Sequence, residues 1–269
     1  MRLPVLSLFG LIPIAVLGFD CYNNDTASDT LDIALTNPPP TTSDFAIQAV
    51  TQVNLYVHVI VSQALTTPPK TLVEAKIATL NRNFKPAGFQ FTIQGISTTV
   101  NANWAKDVDT AKAAKQAQLH RGNYQTLNVY MIEGATSGLC SLPTAPDKPL
   151  DQNGLIGDGC FVPWGPATEA ATLTHEVGHW FGLLHVFQGG CGGSDGCDDT
   201  KPQEGPSYAK QSKAGDLGSC PAKEQCGGTG VQNVKNFMDY SDCSQEFTQC
   251  QRARMSTIWT NRRKGRKLG

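Results

Sequence analysis

The sequence lacks an excess of charge of either sign. Its 269 residues include 22 Lys and Arg against 23 Asp and Glu, which gives a formal net charge of -1. A protein that binds nucleic acid or an anionic membrane with its whole surface needs a strong positive balance. We therefore expect no nucleic-acid partner. The hydrophobic share of 40% is ample for a buried core and argues against overall disorder.

Long apolar runs are also scarce, with one exception at the start of the chain. Residues 1–18 place Arg2 before an apolar stretch that ends at Gly18, which is typical of a signal peptide cleaved after that residue. A membrane helix is the alternative, but two prolines interrupt the run, which falls short of the roughly 20 residues of a spanning helix. No later segment is apolar enough to span. We expect a secreted, extracellular protein without a membrane anchor.

The chain has nine cysteines but lacks the C-x2-C pairs of a structural zinc site. Cys21 stands apart, and the other eight are Cys140, Cys160, Cys191, Cys197, Cys220, Cys226, Cys243 and Cys250. On a secretory route these residues meet conditions in which disulfides persist. We expect disulfides among the eight. Zinc–thiolate clusters are the alternative, and spacing alone does not fix the pairing.

The polar segment 19–45 is predicted to be a prosegment or a linker. It contains the one glycosylation sequon, at Asn24. Beyond it, periodicity predicts strands at 53–61, 89–96 and 126–132 and helices at 71–84 and 104–120. This order predicts an α+β fold with a mixed sheet covered by helices. After Gly134 the chain is dense in Gly, Pro and Cys, and helices are expected only at 166–181 and from 248 to about 261.

Histidine is rare, yet three of the five histidines fall within the stretch HEVGHWFGLLH. In a helix, His175 and His179 lie on one face and present nitrogens to one metal ion. Gly182 lets the chain leave the helix so that His185 supplies a third nitrogen. Glu176 is then placed to contact a water in the open fourth position and to act as general base. An open three-histidine site of this kind is typical of catalytic zinc.

The other two histidines receive simpler interpretations, because neither has metal-ligand spacing to a partner. His58 lies inside a predicted strand and is expected to be packed, whereas His120 ends a polar helix and is expected to be solvated. The basic tail, residues 262–267, is interpreted as a solvated terminus, and contact with an anionic surface is the alternative.

The spacing H-E-x-x-H-x-x-G-x-x-H resembles the zinc motif of the metzincins, which also have a later methionine turn. The word NFMDYS, with Met238, resembles that turn. HEVGHWFGLLHVFQGGC, DDTKPQ and NFMDYSDCSQEFT together resemble the pappalysin family, in particular its secreted fungal and microbial members. LNVYMIEGATSGLCSLP also resembles the edge-strand region of that family, so the likeness covers about residues 50–257.

The resemblance implies a secreted, monomeric zinc endopeptidase that acts on proteins or peptides. Its fold would be metzincin-like, with an N-terminal twisted mixed sheet, a central zinc helix and an irregular, disulfide-rich C-terminal part that ends in a helix. Residues 46–269 would form this catalytic domain. Met238 would lie as an apolar floor under the histidines, and Tyr240 would stabilise the oxyanion of the transition state. Residues 138–143 would be the edge that binds substrate.

Further implications concern the loop after the third histidine and Cys21. Some relatives bind calcium in that loop, and Asp195, Asp198 and Thr200 match it, although a plain turn is the alternative. Relatives often have a latch cysteine followed by glycine in the prosegment. Here Tyr22 follows Cys21, so a zinc latch and an unpaired cysteine both stay open.

The resemblance also implies a set of disulfides. Cys191 would pair with Cys220, Cys226 with Cys243, and Cys140 with Cys160. Cys197 and Cys250 stand where the relatives have other residues, and they are left to pair with each other.

Three other functions compete with that of a protease. They are a zinc-binding module without catalysis, a zinc hydrolase that acts on amides other than proteins, and a structural disulfide-rich protein. The presence of both Glu176 and Tyr240 counts against the first, and an open metal site has no use in the third. Assays on denatured proteins and small amides distinguish the second function from that of a protease.

Overall fold

The computed structural model describes residues 50–166, 170–211, 220, 222–228 and 230–269. The expected signal peptide and the prosegment with Cys21 and Asn24 lie outside the described residues. Within the described ranges, no helix has both the length and the apolar content needed to cross a membrane.

The described strands are β1 Thr51–Val61, β2 Phe89–Val100, β3 Leu127–Ile132, β4 Leu139–Cys140, β5 Cys160–Pro163, β6 Glu224–Gln225 and β7 Gly230–Val231. The α-helices are α1 Lys70–Phe84, α2 Lys112–Leu119, α3 Gln152–Ile156, α4 Ala170–Trp180 and α5 Gln249–Ile258, the last continuing as a π-helix over Trp259–Arg263. The three expected strands and the helix at 71–84 are confirmed. The helix expected at 104–120 is shorter, because the Asp107 carboxylate accepts from the amide and hydroxyl of Thr110 and closes a turn there.

Five strands form one mixed sheet in the order β2-β1-β3-β5-β4. Strands β2, β1, β3 and β5 run parallel, and β4 pairs antiparallel with β5 at the edge. All residues of β3 are buried, as expected for a central parallel strand with both faces covered. The expected α+β fold with a mixed sheet is confirmed.

The two faces of the sheet pack against different elements because side chains alternate along each strand. On one face, Val57 and Val59 of β1 belong to a core that includes Leu80 of α1 and Val177 of α4. On the other face, Ile60 packs in a smaller cluster with residues of β3, β5 and α2. Helix α4 is therefore held between the sheet and the C-terminal part.

The disulfides are Cys140–Cys160, Cys191–Cys226, Cys197–Cys250 and Cys220–Cys243. The pairs expected for Cys140 with Cys160 and for Cys197 with Cys250 are confirmed. The bridge Cys140–Cys160 joins edge strand β4 to β5, and Cys197–Cys250 joins the loop after His185 to helix α5.

The pairs expected as Cys191–Cys220 and Cys226–Cys243 are wrong. The position of the β6–β7 hairpin explains why Cys191 pairs with Cys226. The backbone amide of Glu204 donates to the side chain of Gln225 at 2.9 Å, and the carbonyl of Glu204 lies next to Gly190. Cys191 follows Gly190, and Cys226 follows Gln225. The contacts of Glu204 with Gly190 and Gln225 therefore bring the two cysteines close together.

The basic tail is not a solvated terminus, so that interpretation is wrong. Arg263 is fully buried and forms an ion pair with Asp158 at 2.9 Å. Its guanidinium carbon lies 3.7 Å from the ring centre of Trp180 and 4.6 Å from that of Tyr124. The carboxylate and the two rings together compensate for the burial of the charge.

Two further arginines of the tail hold the chain that follows β4. Arg262 is buried and donates to the carbonyl of Pro143 at 3.4 Å. Arg266 donates to the carbonyls of Thr144 and Ala145, each at 2.8 Å. The guanidinium groups therefore donate to backbone oxygens of an irregular loop.

Candidate active site

Helix α4 and the turn after it bring three histidines together. His175 and His179 lie one turn apart on α4, and the chain leaves the helix at Gly182, whose φ of 81° is in the left-handed region. His185 then folds back toward the helix. The Nε2 atoms of the three rings stand 3.1, 3.1 and 3.2 Å from one another. The positive φ expected at Gly182 is confirmed.

This triangle of nitrogens fits a zinc ion. Tetrahedral angles and Zn–N bonds of about 2.0–2.1 Å hold neighbouring nitrogens about 3.3–3.4 Å apart, close to the separations in this site. His175 donates from Nδ1 to the carbonyl of Phe237 at 2.6 Å, and His179 donates from Nδ1 to that of Leu183 at 2.8 Å. Because a carbonyl only accepts, Nδ1 carries the proton in both rings, and Nε2 is left to bind a metal.

Burial favours the neutral form of these imidazoles. It lowers the pKa of His179 to about 4. The pKa values of His175 and His185 lie well below 6.5, first because of burial and then because the neighbouring imidazoles repel a charge. Neutral imidazole is the form that binds metal, so protons compete little for this site at neutral pH.

Glu176 follows the first histidine, and its carboxylate is buried against the backbone just before the edge strand β4. A Cβ atom on Gly138 would lie 2.6 Å from Cγ of Glu176, a distance that real Cβ contacts do not reach. Gly138 immediately precedes β4, so the side chain of Glu176 extends from α4 toward the sheet edge. The sequence offered no sign of this relationship, because the two residues belong to different elements.

Met238 lies beside the helix that carries the histidines. Its side chain is fully buried, and a Cβ atom on Gly178 would stand 2.5 Å from the sulfur. Gly178 lies between the two histidines of α4. The backbone amide of Val186, next to His185, donates to the carbonyl of Met238 at 3.2 Å. The turn at Met238 thus contacts both helix α4 and the irregular segment that carries the third histidine.

Tyr240 lies beside the histidine cluster. Its hydroxyl is 3.3 Å from Nε2 of His185, and its ring packs edge-on against the ring of His185 at 5.2 Å. Phe187 stacks on His185 with ring centres 4.7 Å apart and contacts Tyr240 at 5.0 Å. The structure therefore brings together His175, His179, His185, Glu176, Met238 and Tyr240.

Asp195, Asp198 and Thr200 line one cavity of about 440 Å³ in the loop after the third histidine. Asp195 is buried and accepts from the Thr200 hydroxyl at 2.7 Å and from the amide of Cys197 at 3.0 Å. Burial raises the pKa of Asp195, and these hydrogen bonds oppose that rise. Asp198 is exposed on the rim.

The two remaining histidines lie away from this site. His58 is packed, as expected, with Nδ1 2.9 Å from Ser97 Oγ and Nε2 3.1 Å from Asn128 Oδ1, and burial lowers its pKa to about 4. His120 is half-buried, its Nε2 atom is enclosed, and burial lowers its pKa. The expectation that His120 is solvated is wrong, because the end of α2 that precedes His120 packs against the sheet.

Comparisons with known proteins agree with this arrangement. The family model of peptidase family M43, described as pregnancy-associated plasma protein-A, matches residues 111–259. An extracellular metalloprotease of Neurospora crassa is 37% identical over 234 residues, which cover 80% of this chain and 77% of that protein. Extracellular metalloprotease 1 of Coccidioides posadasii is 36% identical over 239 residues, 82% of this chain and 81% of that protein.

A solved structure is similar in fold. Mature mirolysin of Tannerella forsythia, in complex with a cleaved peptide, superposes with a TM-score of 0.58 at 21% identity. The match covers 79% of this chain and 92% of mirolysin. Fold and site define a metzincin-like zinc-dependent peptidase. The chain belongs to the pappalysin family, peptidase family M43.

Proposed function

We propose that this protein is a secreted zinc endopeptidase in which His175, His179 and His185 hold the zinc and Glu176 is the general base. The observation that carries the proposal is the convergence of three Nε2 atoms within 3.2 Å of one another beside a buried carboxylate. Zinc held in this way polarises a carbonyl group and lowers the pKa of bound water to about 7.

Glu176 takes the proton from the attacking water and passes it to the leaving amine, so no covalent intermediate is needed. Tyr240 directs its hydroxyl to the place where negative charge develops on the substrate carbonyl oxygen. Met238 acts by packing. Its sulfur lies against Gly178 and supports the helix that carries two of the histidines. The Nδ1 bonds of His175 and His179 fix the orientation of the two rings.

Substrate binds, in this proposal, as an extended peptide beside residues 138–143. Strand β4 is the last strand of the sheet, and its one partner in the order is β5. Main-chain hydrogen bonds to such an edge bind peptides of many sequences, while side-chain pockets select among them. The contact of Gly138 with Glu176 supports this position, because a peptide paired with β4 passes close to the carboxylate.

Secretion and calcium binding are parts of the same proposal. The extracellular names of the relatives support secretion. Sequencing of the secreted protein's N-terminus tests cleavage of a signal peptide after Gly18. We assign a calcium site to the cavity of Asp195, Asp198 and Thr200, because oxygen ligands suit calcium. Addition of calcium should raise the melting temperature of the wild type and not that of Asp198→Asn.

A substrate panel tests the activity and separates it from the rival functions. Purified zinc-loaded protein is given denatured casein, peptides blocked at both ends and small amides. We expect internal cleavage of casein and of the blocked peptides, loss of activity with a zinc chelator, and recovery on addition of zinc. Hydrolysis of small amides alone would indicate an amidase, and zinc binding without any hydrolysis would indicate a binding module.

A further inference from the structure

One exposed aromatic residue, Tyr208, is held beside the site by the segment that contains it. The amide of Ser207 donates to Asp239 Oδ1 at 3.0 Å, and the amide of Asp242 donates to the carbonyl of Ala209 at 2.9 Å. Residues 207 and 209 are therefore both fastened to the turn that includes Tyr240. Tyr208, between them, has little freedom to move away from that turn.

The backbone of Tyr208 is in the left-handed region, with φ of 45°. This region is unfavourable for a residue with a Cβ atom, and such residues occur often at functional sites where the surroundings enforce them. Glycine would relieve the strain, yet the chain has a bulky side chain there. The conformational cost at Tyr208 is explained if the function needs the ring in this orientation.

Tyr208 is 53% exposed although its ring lies close to buried aromatic rings. Its centre is 6.0 Å from that of Tyr240, whose hydroxyl is 3.3 Å from His185 Nε2. Phe187 contacts Tyr240 from another direction, at 5.0 Å. An aromatic row thus runs from the histidine cluster outward and ends at Tyr208 on the surface.

We propose that Tyr208 determines specificity by forming one wall of a substrate subsite next to the scissile bond, and that this subsite takes a large apolar or aromatic side chain. The inference rests on the proposed peptidase function and names its substrate class. Burial of the apolar face of an exposed ring is favourable in free energy, and a fixed orientation lets aromatic side chains of a substrate pack well against it.

Charged groups near this wall include Asp242, Lys210 and Asp239, the last of which accepts from the amide of Ser207. Burial raises the pKa of the Asp242 carboxyl, and attraction to Lys210 opposes that shift. Asp242 and Lys210 have opposite charges and attract each other. We infer selection by shape and apolar area, and a preference for basic side chains is the competing outcome.

The test uses the zinc-loaded full-length mature enzyme and peptides blocked at both ends that differ at one position at a time. The measured quantity is the ratio of kcat/KM for a peptide with Phe to that for a peptide with Ala, at each position around the bond. We compare wild type with Tyr208→Asn, which tolerates a left-handed backbone, and Tyr208→Phe, which keeps the ring. Val100→Ala is the matched control, because Val100 is an exposed apolar residue at the end of β2.

We expect a preference for Phe at one position next to the scissile bond. In Tyr208→Asn this ratio should fall about tenfold or more, the range found when an apolar contact in a subsite is lost. Tyr208→Phe and Val100→Ala should keep it. Equal ratios in wild type and Tyr208→Asn, or a preference for Lys or Arg that Asp242→Asn abolishes, would overturn the inference and leave the peptidase function standing. Absence of cleavage by the zinc-loaded wild type would overturn both.

Discussion

The carboxylate of Glu176 lies directly against the backbone of Gly138, with no room between them for a Cβ atom. Gly138→Ala should therefore displace the carboxylate without removing any zinc ligand. A displacement of about 1 Å of a reacting group costs roughly 100-fold in rate, so we expect kcat to fall by about that factor while zinc content is unchanged. Peptide hydrolysis and metal analysis of the purified variant check this.

Gly205→Ala is the matched control, because nothing lies within 4 Å of a Cβ atom at Gly205 and its φ is ordinary. It should retain the wild-type kcat. A Gly138→Ala enzyme as active as the control would show that the glycine has no part in positioning Glu176.

The hydroxyl of Tyr240 gives a second prediction. Tyr240→Phe keeps the ring that packs on His185 but removes the donor, so kcat should fall about 100-fold, the size of effect found for one oxyanion donor elsewhere. KM, zinc content and melting temperature should change little. Tyr56→Phe, in β1 and away from the site, is the control for loss of a tyrosine hydroxyl. Retention of full kcat in Tyr240→Phe would remove the hydroxyl from the mechanism.

The buried ion pair of Arg263 and Asp158 gives a prediction about stability. Arg263→Met leaves Asp158 buried without its cation, which should reduce the free energy of unfolding by about 3–5 kcal/mol. Lys264→Met, an exposed neighbour, should change it by less than about 0.5 kcal/mol. Urea unfolding of the zinc-loaded proteins with intact disulfides measures both. A small effect of Arg263→Met would mean that the tail is loosely attached.

Much of the fold could be predicted because its signals are local. The alternation in β1 and the helical spacing in α1 are visible in short windows of sequence. Strand β5 was missed because four residues carry no periodicity, and β4 was indicated only by the resemblance of residues 138–143 to the edge strand of the family. The burial of Arg263 was missed because its partner Asp158 is 105 positions away, and a run of basic residues is ordinarily solvated.

The same distinction applies to the site. The proposed zinc ligands and Glu176 lie within one helix and the turn after it, so their spacing alone indicates a metal site. Gly138 and Tyr208 come to the site from other parts of the chain. The local sequence indicated an edge at Gly138 but not its contact with Glu176, and nothing marked Tyr208. The pairing of Cys191 with Cys226 likewise depends on the β6–β7 hairpin, which positions Cys226 in space.

In the proposed mechanism, Glu176 moves the proton while the three histidines hold the zinc. Glu176→Gln keeps the size of the side chain and removes its basicity, so the most direct measurement is zinc content and casein hydrolysis on the same purified sample. We expect one zinc per molecule, as in wild type, and no detectable hydrolysis. A zinc-loaded Glu176→Gln protein that digests casein at the wild-type rate would contradict the account.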